Sequence, residues 1–395
     1  MIPSIKPANR LLSVQEYYFS TKLKEIAQMN KEGKDVISLG IGMPDLPPSE
    51  ATISALTSDA QKPNVHGYQS YNGTTELRQA FAQWYGQWYG VKLNPDQEIL
   101  PLMGSKEGIL HVSLAFLNPG DGVLVPNPGY PTYASVSKLV EAEVIYYDLD
   151  EQNHWYPDFD ALEKLDLTHV KLMWVNYPNM PTGAPANEIL FDRLIDFGKR
   201  HGILICNDNP YSFILNDRPL SMLSRKGAME GCLELNSMSK SHNMSGWRVG
   251  MLAGNARFVE WVLRVKSNID SGMFHALQIA AVEALHNDPE WHRMFNFEVY
   301  ARRRIIAENI VQALNCSFDP KQTGMFLWAK IPEIYTDAGV LADEILYQAH
   351  VFVTPGFIFG SNGNRFIRIS LCSTEEKLKE ALTRILKMKK EKQFN

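Results

Sequence analysis

Residues 237–250 read SMSKSHNMSGWRVG, and this stretch organises the rest of the chain. Lys240 stands among Ser237, Ser239, Ser241 and Ser245, with Arg248 eight positions on. A lysine amine forms an imine with an aldehyde, and hydroxyls beside a guanidinium hold a phosphate. A surface lysine on a loop is the plainer alternative. The stretch is flanked by apolar runs at 232–237 (CLELNS) and 249–253 (VGMLA). Further out come 98–103 (EILPLM), 121–126 (DGVLVP), 143–148 (EVIYYD), 171–176 (KLMWVN) and 203–208 (ILICND). Helical patterns at 105–117, 132–140 and 187–201 separate several of them. Seven strand candidates alternating with helices predict an α/β domain, its mainly parallel sheet covered by helices. Ligands of such sheets lie beyond the carboxyl ends of the strands.

After residue 290 the pattern changes to a helical stretch at 291–314, apolar runs at 325–330, 351–354 and 366–371, and a last helix at 374–390. The expected division is an N-terminal arm with part of a small domain at 1–50, a large domain at 51–290 and a small α+β domain at 291–395, the small domain drawing on both chain ends. A chain of 395 residues exceeds one hydrophobic core. Net charge of −5 suggests no polyanionic partner, so nucleic acid is not expected. The basic run Lys387, Lys389, Lys390 and Lys392 reads as the solvated end of a helix. No run is long enough to span a membrane, and no signal peptide is apparent. Four scattered cysteines without a Cys-x-x-Cys pair argue against a zinc site and for a reducing, cytoplasmic setting.

Other candidate residues sit where runs end. Asp208 closes an apolar strand, with Tyr211 three residues on. A buried carboxylate needs a partner, and a protonated pyridine nitrogen is one; an Asx-type turn is the other reading. Gly104-Ser105-Lys106-Glu107-Gly108 lies where a helix begins, and helix-start amides with a serine hydroxyl suit an anion. Tyr130 could stack on a flat ring or simply pack. Arg368, inside an apolar strand, wants a bidentate acid, from a substrate or from the protein.

Taken together and in order, SLGIGMPDLPP (38–48), HGYQSYNGTTELRQA (66–80), GSKEG (104–108), NPGDGVLVPNPGYPTY (118–133), NYPNMPTG (176–183), NDNPYS (207–212), SMSKSHNMSGWRVG (237–250), VTPGFIFG (353–360) and FIRISL (366–371) resemble class I/II aminotransferases of pyridoxal-phosphate fold type I. The resemblance implies pyridoxal 5'-phosphate as cofactor and the aspartate aminotransferase-like fold. By position, Lys240 matches the imine-forming lysine and proton shuttle. Asp208 and Tyr211 match the residues at the pyridine nitrogen and phenolic oxygen, and Tyr130 the stacking aromatic. Gly104, Ser105, Lys106, Ser237 and Arg248 fall in the phosphate-binding segments. Tyr68 matches a tyrosine that reaches the neighbouring site of a homodimer. Arg368 matches the clamp on the substrate carboxylate, with Gly42 in the loop over it.

One position departs from the family's Asn-Pro-Thr-Gly: Met180 precedes Pro181. A thioether replaces an amide poorly, and Asn179 or Asn176 could stand in, Asn179 being favoured. The arm PANRLLSVQEYYFSTKLKEIAQM (7–29), with GSKEG and DSGMF, looks most like LL-diaminopimelate aminotransferases. That subgroup implies an arm tyrosine in the pocket, Tyr17 or Tyr18, and a pocket residue from the partner at Ser271. Lys106 also matches a lysine used elsewhere for a distal carboxylate. Candidate amino donors are therefore LL-diaminopimelate, aspartate and glutamate, with 2-oxoglutarate as acceptor. A pyridoxal-phosphate β-lyase uses the same lysine and clamp and is the alternative. A non-catalytic amino-acid-sensing regulator is the alternative of another class.

Overall fold

The computed structural model describes residues 5–14 and 18–393, the side chains of Lys392 and Gln393 excepted. Tyr17, and the Lys392 side chain in the basic run, lie outside the described residues. All seven strand candidates between residues 98 and 253 form one sheet. Its spatial order is Ile99–Leu102, Gly250–Gly254, Cys232–Ser237, Leu204–Asp208, Val170–Val175, Gly122–Asn127 and Glu143–Asp148. Gly250–Gly254 runs antiparallel to both its neighbours, and the other pairings are parallel. The inner strands are buried along their whole length, Lys171 excepted, as sheets covered on both faces require. Pro101, which cannot donate to a ladder, sits on an edge strand.

Local signals set the connecting helices. Asn187 caps Glu188–His201 by accepting from the Leu190 amide, Lys199, Arg200 and His201 fill its last turn, and Gly202 ends it at φ 67°. Ser105–Phe116 starts directly after Gly104, whose φ is 84°. This abrupt start points the helix's first amides toward the strand ends.

Two further sheets use both chain ends. Ile37–Ser38 pairs in parallel with Val351–Phe352. Phe326–Lys330, Phe366–Ser370, Thr354–Pro355 and Ser317–Phe318 form a four-stranded antiparallel sheet. The single run expected at 351–354 is thus two short strands, because the chain leaves one sheet at Val353 and enters the other. The stretch expected as one helix at 291–314 is also interrupted. Arg293–Glu298 is a π-turn between Pro289–His292 and Val299–Ala313. The wide turn brings buried Asn296 inward, where its Nδ2 donates to the Ser241 carbonyl at 2.9 Å and its own carbonyl accepts from the Leu215 amide at 3.0 Å. In the arm helix Tyr18–Lys31, Lys22 bridges Asp343 and Tyr18 packs edge-on against Phe357. We propose the division at residues 50 and 290 from these pairings.

Beneath the sheet ends lies a carboxylate that the sequence reading did not single out. Glu234 is fully buried and accepts from Tyr85 Oη at 2.9 Å, Asn207 Nδ2 at 2.9 Å, Ser221 Oγ at 2.7 Å and the Met222 amide at 2.9 Å. Glu234→Ala would strand four buried donors, so it should cost on the order of 3 kcal/mol or more. A denaturant midpoint within experimental error of wild type would contradict this reading.

Candidate active site

A cavity of about 670 Å³ is lined by residues at or just past the carboxyl ends of five strands: Ser105, Tyr130, Asn176, Asp208 and Ser237. Lys240, Arg248, Arg368 and Gly42 complete the wall together with Lys106 and Tyr211. Most of the candidates scattered through the sequence therefore face one space.

Asp208 is 4% exposed. Its Oδ2 accepts from Tyr133 Oη at 3.0 Å, and Oδ1 has no hydrogen-bond partner among the described residues. Burial pushes its carboxyl up to about 6, although the hydroxyls of Tyr133 and Ser105 pull the other way. Tyr133 stacks on Trp174 with centroids 5.2 Å apart, which fixes its ring. The sequence reading named Tyr130 and missed Tyr133, three residues on. The signal was present in Pro-Thr-Tyr at the first turn of the helix Pro131–Leu139.

Lys240 follows the strand Cys232–Ser237 in a single helical turn, and its Nζ donates to the Gly42 carbonyl. Burial, with the guanidinium groups of Arg368 and Arg248 adding repulsion, lowers its ammonium below the usual lysine value. Arg248 has φ 59°, a left-handed conformation unusual for a non-glycine residue. A Cβ on Gly104 would meet Arg248 Nη2 at 2.2 Å, so only glycine lets the guanidinium lie against the start of Ser105–Phe116. Ser239, also in the wall, lies 3.4 Å from Arg248 Nη1 through its hydroxyl.

Arg368 is buried in the strand Phe366–Ser370. Its Nη2 donates to the Gly40 carbonyl at 2.8 Å, and Nη1 lies 3.1 Å from Met180 Sδ. Its guanidinium carbon stands 3.9 Å from the Phe326 ring centroid and 4.6 Å from that of Phe359. Gly42 has a matching role, for a Cβ there would meet Phe326 Cζ at 2.2 Å.

Asn179, Tyr18, Tyr68, Ser271 and Gly104 are not among the residues that line the cavity. Asn179, the favoured stand-in beside Met180, is tied into its own turn. Its Nδ2 donates to the Asn176 carbonyl at 3.1 Å, and its Oδ1 accepts from Thr182 Oγ1 at 2.7 Å. Asn176 lines the cavity instead, donating from Nδ2 to the Asp208 carbonyl and accepting the Met180 amide at 2.7 Å. Tyr18 packs on Phe357, and its neighbours Phe19 and Ser20 face the cavity, because helical spacing turns the next residues inward. Tyr68 is 94% exposed on this single chain, and exposed Ser271 lies on an adjacent loop. That adjacency is close, for a Cβ on Gly272 would meet the Gln69 carbonyl at 2.7 Å. Outside the cavity, Glu107, His111 and Asp270 gather their ligand atoms within 4.8 Å of one another. The ammonium of Lys266 already pairs with Asp270 there.

Pyridoxal phosphate fits these residues. Asp208 Oδ1 is a buried acceptor that a pyridinium N–H would satisfy. The Gly104 cradle, the first amides of Ser105–Phe116 and Arg248 would suit its phosphate. The pKa of Asp208 fixes the sign of a pH effect. Its raised value means the cofactor-free fold keeps a proton that the unfolded chain loses. Stability should therefore fall as pH rises from about 4 through about 6, by roughly 3 kcal/mol in total. Asp208→Asn should remove that fall and weaken the stabilisation given by added cofactor. Thermal unfolding with and without pyridoxal phosphate across this range checks both effects; a wild-type curve with the variant's pH dependence would contradict them.

Residues 34–385 match the family model described as Aminotransferase class I and II. The chain is 41% identical over 387 residues to an LL-diaminopimelate aminotransferase of Dehalococcoides mccartyi, covering 98% of this chain and 99% of that one. An LL-diaminopimelate aminotransferase of Nitratidesulfovibrio vulgaris is 39% identical, with 96% of this chain and 98% of the relative covered. Among solved structures, apo BacF of Bacillus subtilis superposes with a TM-score of 0.92 at 37% identity, covering 97% of this chain and 98% of that one. An aromatic aminotransferase of Pyrococcus horikoshii gives 0.88 at 26% identity, covering 98% and 99%. With its fold and nearly its whole length matched, the chain belongs to the class I and II aminotransferases, which depend on pyridoxal phosphate.

Proposed function

We propose that this aminotransferase works through Lys240, Asp208 and Arg368, moving an amino group from an L-amino acid to a 2-oxo acid. The observation that carries this reading is that an amine of lowered basicity, a buried carboxylate with an unused oxygen and a guanidinium line one cavity. When bound, pyridoxal phosphate supplies an aldehyde carbon for amine exchange and a ring that spreads the charge left on the substrate α-carbon. Arg368 binds the substrate carboxylate and so sets the direction of the Cα–H bond. Lys240, with its ammonium proton easily lost, takes the proton from Cα and carries it to the far side of the exchange. Asp208 holds a proton at the pyridine nitrogen, which its buried Oδ1 favours. Tyr211 donates toward the phenolic oxygen, and Tyr130 covers one face of the ring. Ser105, Lys106, Ser237 and Arg248, with Gly104 at the helix start, hold the phosphate.

A homodimer would complete the site, with Tyr68 crossing to the neighbouring subunit; its exposure on the single chain suits that role. A reducing, cytoplasmic setting agrees with four free, buried cysteines. Among the described residues no helix is long and apolar enough to cross a membrane. We take 2-oxoglutarate as acceptor. LL-diaminopimelate, the substrate in the relatives' names, and glutamate and aspartate are the donors that kinship puts forward.

A single-turnover experiment tests the reading. An amino donor added alone should shift the visible absorbance of the bound cofactor, and 2-oxoglutarate added next should restore it. Accumulation of ammonia without that reversible shift would mean a lyase. Lys240→Ala should lower kcat by roughly 10²- to 10⁴-fold while some cofactor stays in the phosphate cradle. Near-normal turnover would end the assignment. Arg368→Ala should raise KM for every α-amino acid, by roughly 30-fold or more; a loss confined to acidic donors would contradict the shared clamp.

A further inference from the structure

The surroundings of Arg368 say what kind of side chain follows the carboxylate it binds. Met180 Sδ lies 3.1 Å from Nη1, and the rings of Phe326, Phe359 and Phe19 are centred 3.9, 4.6 and 5.9 Å from the guanidinium carbon. All four side chains line the cavity. Ile41 and Leu23 extend this apolar wall, and Leu23 is 43% exposed although it is a large apolar residue. Met180 sharpens the effect, since it puts a thioether where an amide would offer a polar group its partner. Among the described lining residues the lysines and arginines are Lys106, Lys240, Arg248 and Arg368. The functional reading engages all four, Lys106 and Arg248 at the phosphate, Lys240 at the reacting carbon and Arg368 at the first carboxylate, so a second carboxylate would compete for a cation with another task.

We propose that the preferred amino donor is a monocarboxylic amino acid with an apolar side chain, of leucine, methionine or phenylalanine size. This rests on the aminotransferase reading and reorders the donors that kinship suggests. A distal charge set against phenyl rings and a thioether loses its water without gaining a partner. Each methylene that meets the same wall is worth roughly fourfold in affinity. Glutamate, the product of the accepting half-reaction, still binds through Arg368, less favourably beyond its β-carbon.

The test uses the reconstituted holoenzyme in two measurements. In single turnovers, leucine, methionine and phenylalanine should show kcat/KM at least about tenfold above glutamate, aspartate and LL-diaminopimelate. In equilibrium titrations that need no turnover, 3-phenylpropanoate should bind at least about tenfold more tightly than glutarate. Leu23→Arg, a change at an exposed position on the rim, should narrow both gaps by favouring the dicarboxylate. Equal or better performance by the acidic compounds in either measurement overturns the proposal and leaves the aminotransferase reading intact. If no donor of either kind shifts the cofactor absorbance, the aminotransferase reading itself fails, and this proposal with it.

Discussion

Asp208 is almost sealed from water, with one oxygen held by Tyr133 and the other without a hydrogen-bond partner among the described residues. A buried carboxylate in that condition weakens the fold at neutral pH unless a cation meets it. The strand Leu204–Asp208 nevertheless lies in the middle of the large sheet, with buried neighbours on both sides. Tyr133 is braced by Trp174, and Asn176 Nδ2 holds the Asp208 carbonyl. The arrangement makes physical sense as half of an ion pair whose other half arrives with the cofactor.

The remaining groups occupy positions that similar close packing defines. Arg248 adopts a backbone conformation that non-glycine residues rarely take, and it lies against Gly104 where any side chain would collide. Phe326 passes over Gly42 in the same way and then covers Arg368. The two chain ends meet at this point. Arg368 reaches back to the Gly40 carbonyl, and Lys240 to that of Gly42, so the segment after Ile37–Ser38 ties the clamp and the lysine together.

Much of this was legible in the sequence because it depends on short-range rules. Apolar runs bounded by glycine, proline and polar residues located all seven strands of the large sheet within a residue or so. The residues at their ends then fell into one cavity, because parallel sheets gather their carboxyl ends on one side. Departures arose where tertiary contacts decide. Asn179 and Asn176 are equivalent in pattern, and only the turn chemistry of Thr182 consumes Asn179. Tyr18 and Phe19 differ by one step of a helix, a rotation that no motif records. The switch between sheets at Val353 and the π-turn at Arg293–Glu298 depend on partners hundreds or tens of residues away. Glu234 was invisible for a related reason, since its four donors come from three separate places in the chain.

The central claim is that Lys240 is the residue that joins the cofactor, and chemical trapping addresses it directly. The holoenzyme would be reduced with borohydride, digested, and its peptides analysed by mass spectrometry. The account predicts one pyridoxyl group per chain, on the peptide carrying Lys240. A pyridoxyl group on Lys106 or any other lysine, with Lys240 unmodified, would contradict it.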